Sequence, residues 1–268
     1  MKPISTLPLC FRVCILLAGI AGAQTSAAQS AAPLPVGVEP SHNPVPGIYI
    51  RGETTGIMGL VKAQSEVYKI TDKMCKARGQ GGARLLQGRI EDLSLPAINQ
   101  TYFNGTRSAS YNVSQLLEPN PDDKTGCSFR VVAETTRIFK VFNGTQTTVT
   151  TINSHGTRTR TVPGDTRPPS IEQLASKPLA PPSGWTHGKS ERIADVPCDH
   201  WILNVNGTTF DLCVPEPGSV PPPLDRGALR GRVYTDDAVL SETVVTELTT
   251  ASPIDEAVFD QAAYGARH

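Results

Sequence analysis

Six cysteines and five histidines are the side chains of this sequence with the most chemistry open to them. Cys10 and Cys14 fall in an apolar stretch near the start, and Cys75, Cys127, Cys198 and Cys213 form an even set further on. No two of these four stand at a C-x-x-C spacing, so paired thiolate ligands for zinc are not indicated and no metal site is expected. In an exported chain an even set reads as disulfides, with three pairings open to four cysteines. Cys198 and Cys213 are close in sequence, which predicts Cys198 with Cys213 and, by remainder, Cys75 with Cys127.

The histidines are His42, His155, His187, His200 and His268. Only His200 has a carboxylate, Asp211, placed so that the two could touch, and a base oriented by a carboxylate is half of a nucleophilic triad. The serine that would complete it is not marked. There is no G-x-S-x-G elbow, and nothing singles out Ser183 or Ser190. The glycine-rich stretch Gly79–Gly88 (GQGGARLLQG) has neither the phosphate-loop nor the G-x-G-x-x-G spacing, so no cofactor is expected. Asn-x-Ser/Thr occurs at Asn99, Asn104, Asn112, Asn143 and Asn206, three of which are Asn-Gly pairs that mark turns. The residues therefore read as a protein without a catalytic site.

The element that must position His200, Asp211 and two of the cysteines is a hairpin. Cys198–Val214 reads CDHWILNV-NG-TTFDLCV, and Asn-Gly between two alternating runs is the strongest short-range hairpin signal. Pairing Val205 with Thr208 puts Trp201, Leu203, Val205, Phe210, Leu212 and Val214 on one face, expected to be the core face. Cys198, His200, Ile202, Asn204, Thr209, Asp211 and Cys213 share the other face, expected to be polar and half exposed. Cys213 then stands opposite His200 and diagonal to Cys198. Diagonal Cα atoms lie about 7–8 Å apart, slightly beyond the usual disulfide span of about 4.4–6.8 Å, so a bulge near Pro197 or a wider loop is expected to close the gap.

Asn104-Gly105 and Asn143-Gly144 repeat the signal between runs rich in Val, Ile, Thr, Phe and Tyr, which predicts an antiparallel meander. Ile48–Thr55, Ala63–Thr71, Ala228–Thr235 and Glu242–Thr250 also read as strands. Short helices are expected at Val113–Leu117 and Ile171–Ser176, the latter opened by Ser170 after Pro168-Pro169. Proline-rich loops run over Val162–Gly184 and Pro215–Asp225. With 19% of residues charged and 6% aromatic, and Thr, Gly and Pro plentiful, the balance favours strands and turns over helices. The expected fold is mainly β, a curved antiparallel sheet or half-barrel with few short helices.

Met1, Lys2 and Arg12, then the apolar run Val13–Ala21 and Ala21-Gly22-Ala23, form a signal-peptide pattern with cleavage after Ala23. That run is shorter than the roughly 20 apolar residues a membrane span needs, and no transmembrane segment is expected in the mature chain. Residues 24–46 are rich in Ala, Ser and Pro and read as an unstructured tether. Residues 47–268 then form a single β-rich domain, periplasmic or secreted. The chain balances 25 Lys+Arg against 25 Asp+Glu, so the summed field gives no reason to expect nucleic acid or an anionic membrane as partner.

Two stretches carry a resemblance. Ser190–Val214 holds Ile193-Ala194, Cys198 and Trp201 in an Ile-Ala-x-x-x-Cys-x-x-Trp strand followed by a hairpin, and Val244–Gly265 leads a last strand to Phe259 and Tyr264. Together they resemble small bacterial periplasmic proteins of the lipoprotein-carrier type, with Asp195 where a glycine is common. The resemblance implies a curved antiparallel sheet around a greasy groove and, with it, a non-enzymatic binding protein for an apolar ligand or acyl chain. An envelope protein-interaction or sensing module is the alternative.

Overall fold

The computed structural model describes residues 31–56, 58–163, 183–220, 228–236 and 238–262. The expected signal segment, the helix at Ile171–Ser176, most of the loop Val162–Gly184 and residues 221–225 of the second proline-rich loop lie outside them. The described chain is mainly β. Its strands are β1 (Pro44–Thr55), β2 (Arg84–Gln87), β3 (Ala97–Asn104), β4 (Arg107–Pro119), β5 (Ser128–Phe142), β6 (Gln146–Asn153), β7 (Gly156–Pro163), β8 (Thr186–Ile193), β9 (Val196–Val205), β10 (Thr208–Pro215), β11 (Arg230–Tyr234) and β12 (Val239–Asp255).

They form one open sheet in the order β7-β6-β5-β4-β3-β1-β12-β11-β10-β9-β8, with β2 pairing in parallel with β5. Every pairing in the main order is antiparallel. Curvature shows where the ends approach. Cα atoms of β8 and β12 come within 8 Å, although flat strands about 4.8 Å apart would hold them about 19 Å apart. Strands β8–β12 therefore wrap into a trough.

The single α-helix among the described residues is α1, Met58–Ala77, 20 residues long. It replaces both the strand expected at Ala63–Thr71 and the expectation of short helices alone. Val113–Leu117, expected as helix, is part of β4, where Val113 pairs with Thr135 and Leu117 with Val131. A ladder that pairs all of β4, Arg107 to Pro119, with Val141 to Phe129 of β5 overrides the local Leu-Leu-Glu helix propensity.

Two buried clusters lie on opposite faces of β1. Tyr49, Tyr102, Tyr111 and Phe139, one each from β1, β3, β4 and β5, stack across the sheet with successive ring centroids 5.2, 5.9 and 6.1 Å apart. Such aromatic pairs contribute about 0.5–1.5 kcal/mol each beyond area burial. A 3₁₀ turn at Glu256–Phe259 caps this stack, and Tyr111 donates to the Val258 carbonyl at 2.6 Å. Ile48 and Ile50, pointing the other way, pack on the second cluster of Val196, Cys198, Cys213, Val220 and Leu229.

Residues 31–46 are not a free tether. Ala32, Leu34 and Val38 pack against the tyrosine stack, Ala32 N donates to the Pro253 carbonyl at 3.0 Å, and Tyr102 donates to the Pro33 carbonyl at 2.7 Å. β1 itself begins at Pro44. A few apolar side chains suffice because the tyrosine surface is already formed.

Candidate functional site

Asn206 and Gly207 both have positive φ, 50° and 79°, the twist of a type I′ turn. The hairpin takes the expected register, Val205 opposite Thr208 and Cys213 opposite His200. Both expected disulfides are present: Cys198–Cys213 with Cα atoms 5.4 Å apart and Cys75–Cys127 with Cα atoms 6.0 Å apart. Neither the bulge at Pro197 nor the wider loop is present, since the β9–β10 ladder runs without a shift from Val205 opposite Thr208 through Pro215 opposite Cys198. Sheet twist shortens one diagonal of a strand pair and lengthens the other, and the cysteines occupy the short one.

Burial divides differently from expectation. Cys198 and Cys213 are fully buried, whereas of the expected core face only Val214 is buried, with Trp201, Leu203, Phe210 and Leu212 half-buried and Val205 exposed. The cysteine face is the inside of the trough, closed at one end by Val220 and Leu229, residues beyond the hairpin that its alternation could not announce.

Five strands send charges to that inner face. The registers place Glu191 beside Cys198, Asp211 beside Arg232, Arg230 beside Cys213, and Glu242 beside Arg232. His200 Nδ1 lies 2.5 Å from Asp211 and Nε2 lies 3.0 Å from Glu191. Arg230 reaches Glu191 at 3.3 Å and Glu242 at 2.6 Å, and Arg232 reaches Glu242 at 3.2 Å. Hydrogen bonding to Glu242 holds the Arg230 guanidinium above its ordinary value. Burial pushes Glu242 up, and the hydrogen bonds from Arg230 and Arg232 overcome it and hold the carboxyl below the usual range.

His200 and Asp211 thus meet as expected, but carboxylates occupy both ring nitrogens. Nδ1 is taken by Asp211 and Nε2 by Glu191, an arrangement different from the carboxylate–imidazole–hydroxyl line of a triad. The remaining members, Glu191, Arg230, Arg232 and Glu242, were not anticipated. Their only signal was alternation, Arg230-Gly231-Arg232, whose meaning depends on a register with a distant strand.

A second polar group sits on the outer face. Ser190 donates to Asp199 at 2.6 Å and His187 Nε2 lies 3.2 Å from the same carboxylate. A bulge between His187 and Ser190 brings both residues to the side of Asp199. At the bulge, Gly188 lies so close to β9 that a Cβ would stand 2.8 Å from that of His200. Hydrogen bonds from Ser190 and then His187 hold the Asp199 carboxyl below its usual value. In acyl-transfer chemistry the imidazole stands between carboxylate and hydroxyl. Here the carboxylate stands between the other two, so the serine is not activated.

Ligand atoms of Glu191, Cys198 and Cys213 lie within 4.8 Å of one another. The two sulfurs are bonded to each other, and a disulfide does not present the thiolates a soft metal needs.

A cleft of about 650 Å³ lies on the β6–β7 hairpin, lined by Val149, Thr151, His155, Arg158, Thr159 and Arg160 among others. Its lining joins a valine and two threonines to two arginines. Searches against protein-family models and curated proteins find no match.

Proposed function

We propose that the chain is a non-enzymatic binding protein of the periplasm, exported on residues 1–23, that takes an apolar ligand or acyl chain bearing an acidic head. The supporting observation is the β6–β7 cleft, whose volume lies in the range of ligand sites, about 300–1,000 Å³. Val149 and the threonines accept the apolar part, and Arg158 and Arg160 supply fork-shaped donors for a carboxylate or phosphate. The trough is a poorer candidate, since ion pairs line its inner face. Two disulfides are compatible with an oxidising, exported location.

Protein purified from its native envelope is extracted and the extract analysed by mass spectrometry. An acidic lipid copurifies with wild type and is depleted in R158Q/R160Q. Recovery of no lipid, or equal recovery from the variant, sinks the proposal.

An envelope interaction module is the second reading, favoured by β7, which ends the sheet order with most of its side chains exposed and can accept a partner strand. A photocrosslinker at Thr157 captures that partner. Its failure to form any protein adduct in cells counts against this reading.

A further inference from the structure

We infer that α1 is a docking surface for an anionic lipid bilayer. The helix carries three stripes. Val61, Gln64, Tyr68, Asp72 and Cys75 face the sheet, all half-buried or buried. Ala63, Val67, Ile70 and Met74 recur at i, i+4, i+7 and i+11, within about 60° of one another on a 3.6-residue helix, and all four are exposed. Val67, Ile70 and Met74 are 52%, 54% and 45% exposed. Lys62, Lys69, Lys73 and Lys76 form the third stripe, alongside the apolar one.

The sheet side of α1 is already satisfied, so the apolar stripe is not a core face waiting for its own domain. Tyr68 packs edge-on to Phe129 with centroids 5.7 Å apart and donates to the Ala83 carbonyl. Asp72 accepts from Ala83 N at 2.9 Å, Gln64 accepts from Leu117 N, and Cys75 is bonded to Cys127. These ties hold the helix rigid, so docking does not have to order it first.

Charge identifies the occupant. The helix has four lysines against Glu66 and Asp72, and Lys69 and Lys76 keep most of their side-chain surface in solvent while paired to those acids. A straight apolar ridge about 16 Å long, edged by lysines whose stems can snorkel, suits the boundary between acyl chains and anionic headgroups. The chain's overall neutrality hides this local asymmetry.

The test is cosedimentation of the full, disulfide-bonded protein with vesicles. Wild type binds mixed phosphatidylglycerol–phosphatidylcholine vesicles, binds pure phosphatidylcholine much less, and loses affinity as salt is raised. V67S/I70S/M74S abolishes binding. K69Q/K73Q, which leaves the apolar stripe intact, weakens it about twenty-fivefold, from about fivefold per lysine. Protease resistance and absence of free thiol confirm that each variant is folded. Failure of wild type to bind the anionic vesicles overturns the inference, as does undiminished binding by both variants. A wild-type dimer that V67S/I70S/M74S converts to monomer, with no vesicle binding by either, assigns the stripe to self-association and also overturns it.

Discussion

Asp123 shows how one half-buried carboxylate can organise a loop. Between β4 and β5 its two oxygens accept from Thr125 N at 2.9 Å, Thr125 Oγ1 at 2.5 Å, Cys127 N at 3.1 Å and the Ser128 hydroxyl. The Ser128 and Thr125 bonds, in that order, hold its carboxyl well below the usual range. A folded carboxyl that ionises at lower pH than an unfolded one stabilises fully above the unfolded value, about 3.9. That contribution is lost as pH falls through the lower, folded value. Asp123→Asn therefore lowers the melting temperature at pH 7, and the gap to wild type narrows as pH drops below about 4. A gap that is unchanged down to the acid limit of folding shows that the charge is not what the loop uses. His200 is the second residue-scale case. His200→Ala leaves Glu191 and Asp211, both half-buried, without the ring they share, at a cost of about 1–3 kcal/mol. Urea unfolding reads this as a lower midpoint at unchanged slope, and a midpoint equal to wild type shows that the imidazole bridge contributes nothing net.

At the level of elements, α1 is held by a disulfide as well as by packing, and the two contributions separate. The Cys75–Cys127 bond spans 52 residues and contributes about 4 kcal/mol on the chain-entropy estimate, against about 3 kcal/mol for the 15-residue span of Cys198–Cys213. Cys127→Ser is expected to lower the melting temperature more than any single surface substitution, expose a reactive Cys75 thiol, and speed amide exchange in α1 while leaving β9 and β10 protected. Uniform loss of protection in all three elements contradicts that local role. Whether each element could be read beforehand follows from how local its cause is. Asn104-Gly105, Asn143-Gly144 and Asn206-Gly207 each mark a real turn because positive φ is a local requirement, met by Gly105, Gly144 and Gly207 and, at the third turn alone, by the asparagine as well. The strand expectation at Ala63–Thr71 misses α1 because that nine-residue window sets outward Val67 and Ile70 beside inward Gln64 and Tyr68, β-formers without a clear helical face. The His200–Asp211 contact was legible from hairpin register alone. Glu191, Arg230, Arg232 and Glu242 were not, because what joins them is the wrapping of β8–β12, a property of strands far apart in sequence.

The molecule as a whole is tied together by β1 and β12. Tyr49 on β1 belongs to the tyrosine stack, while its neighbours Ile48 and Ile50 pack on the disulfide cluster, and β1 pairs with β12 from Pro44 to Thr55. β12 in turn hands the ladder to β11 through Val244 opposite Arg230. Neither cluster can lose its packing without uncovering a face of β1, so the two halves should unfold together. The chain supplies its own reporters. Both tryptophans, Trp185 and Trp201, lie in the β8–β9 half, and Tyr49, Tyr102 and Tyr111 lie in the other. In denaturant with disulfides intact, tryptophan emission and the near-ultraviolet tyrosine signal should trace one coincident transition. Ile254→Ala sharpens the test, because Ile254 is fully buried in the tyrosine half and its truncation costs about 2–5 kcal/mol. If β1 couples the halves, that variant shifts the tryptophan transition by as much as the tyrosine one, although neither tryptophan belongs to that cluster. A tyrosine midpoint that falls while the tryptophan midpoint stays would show two independently folding units sharing a sheet.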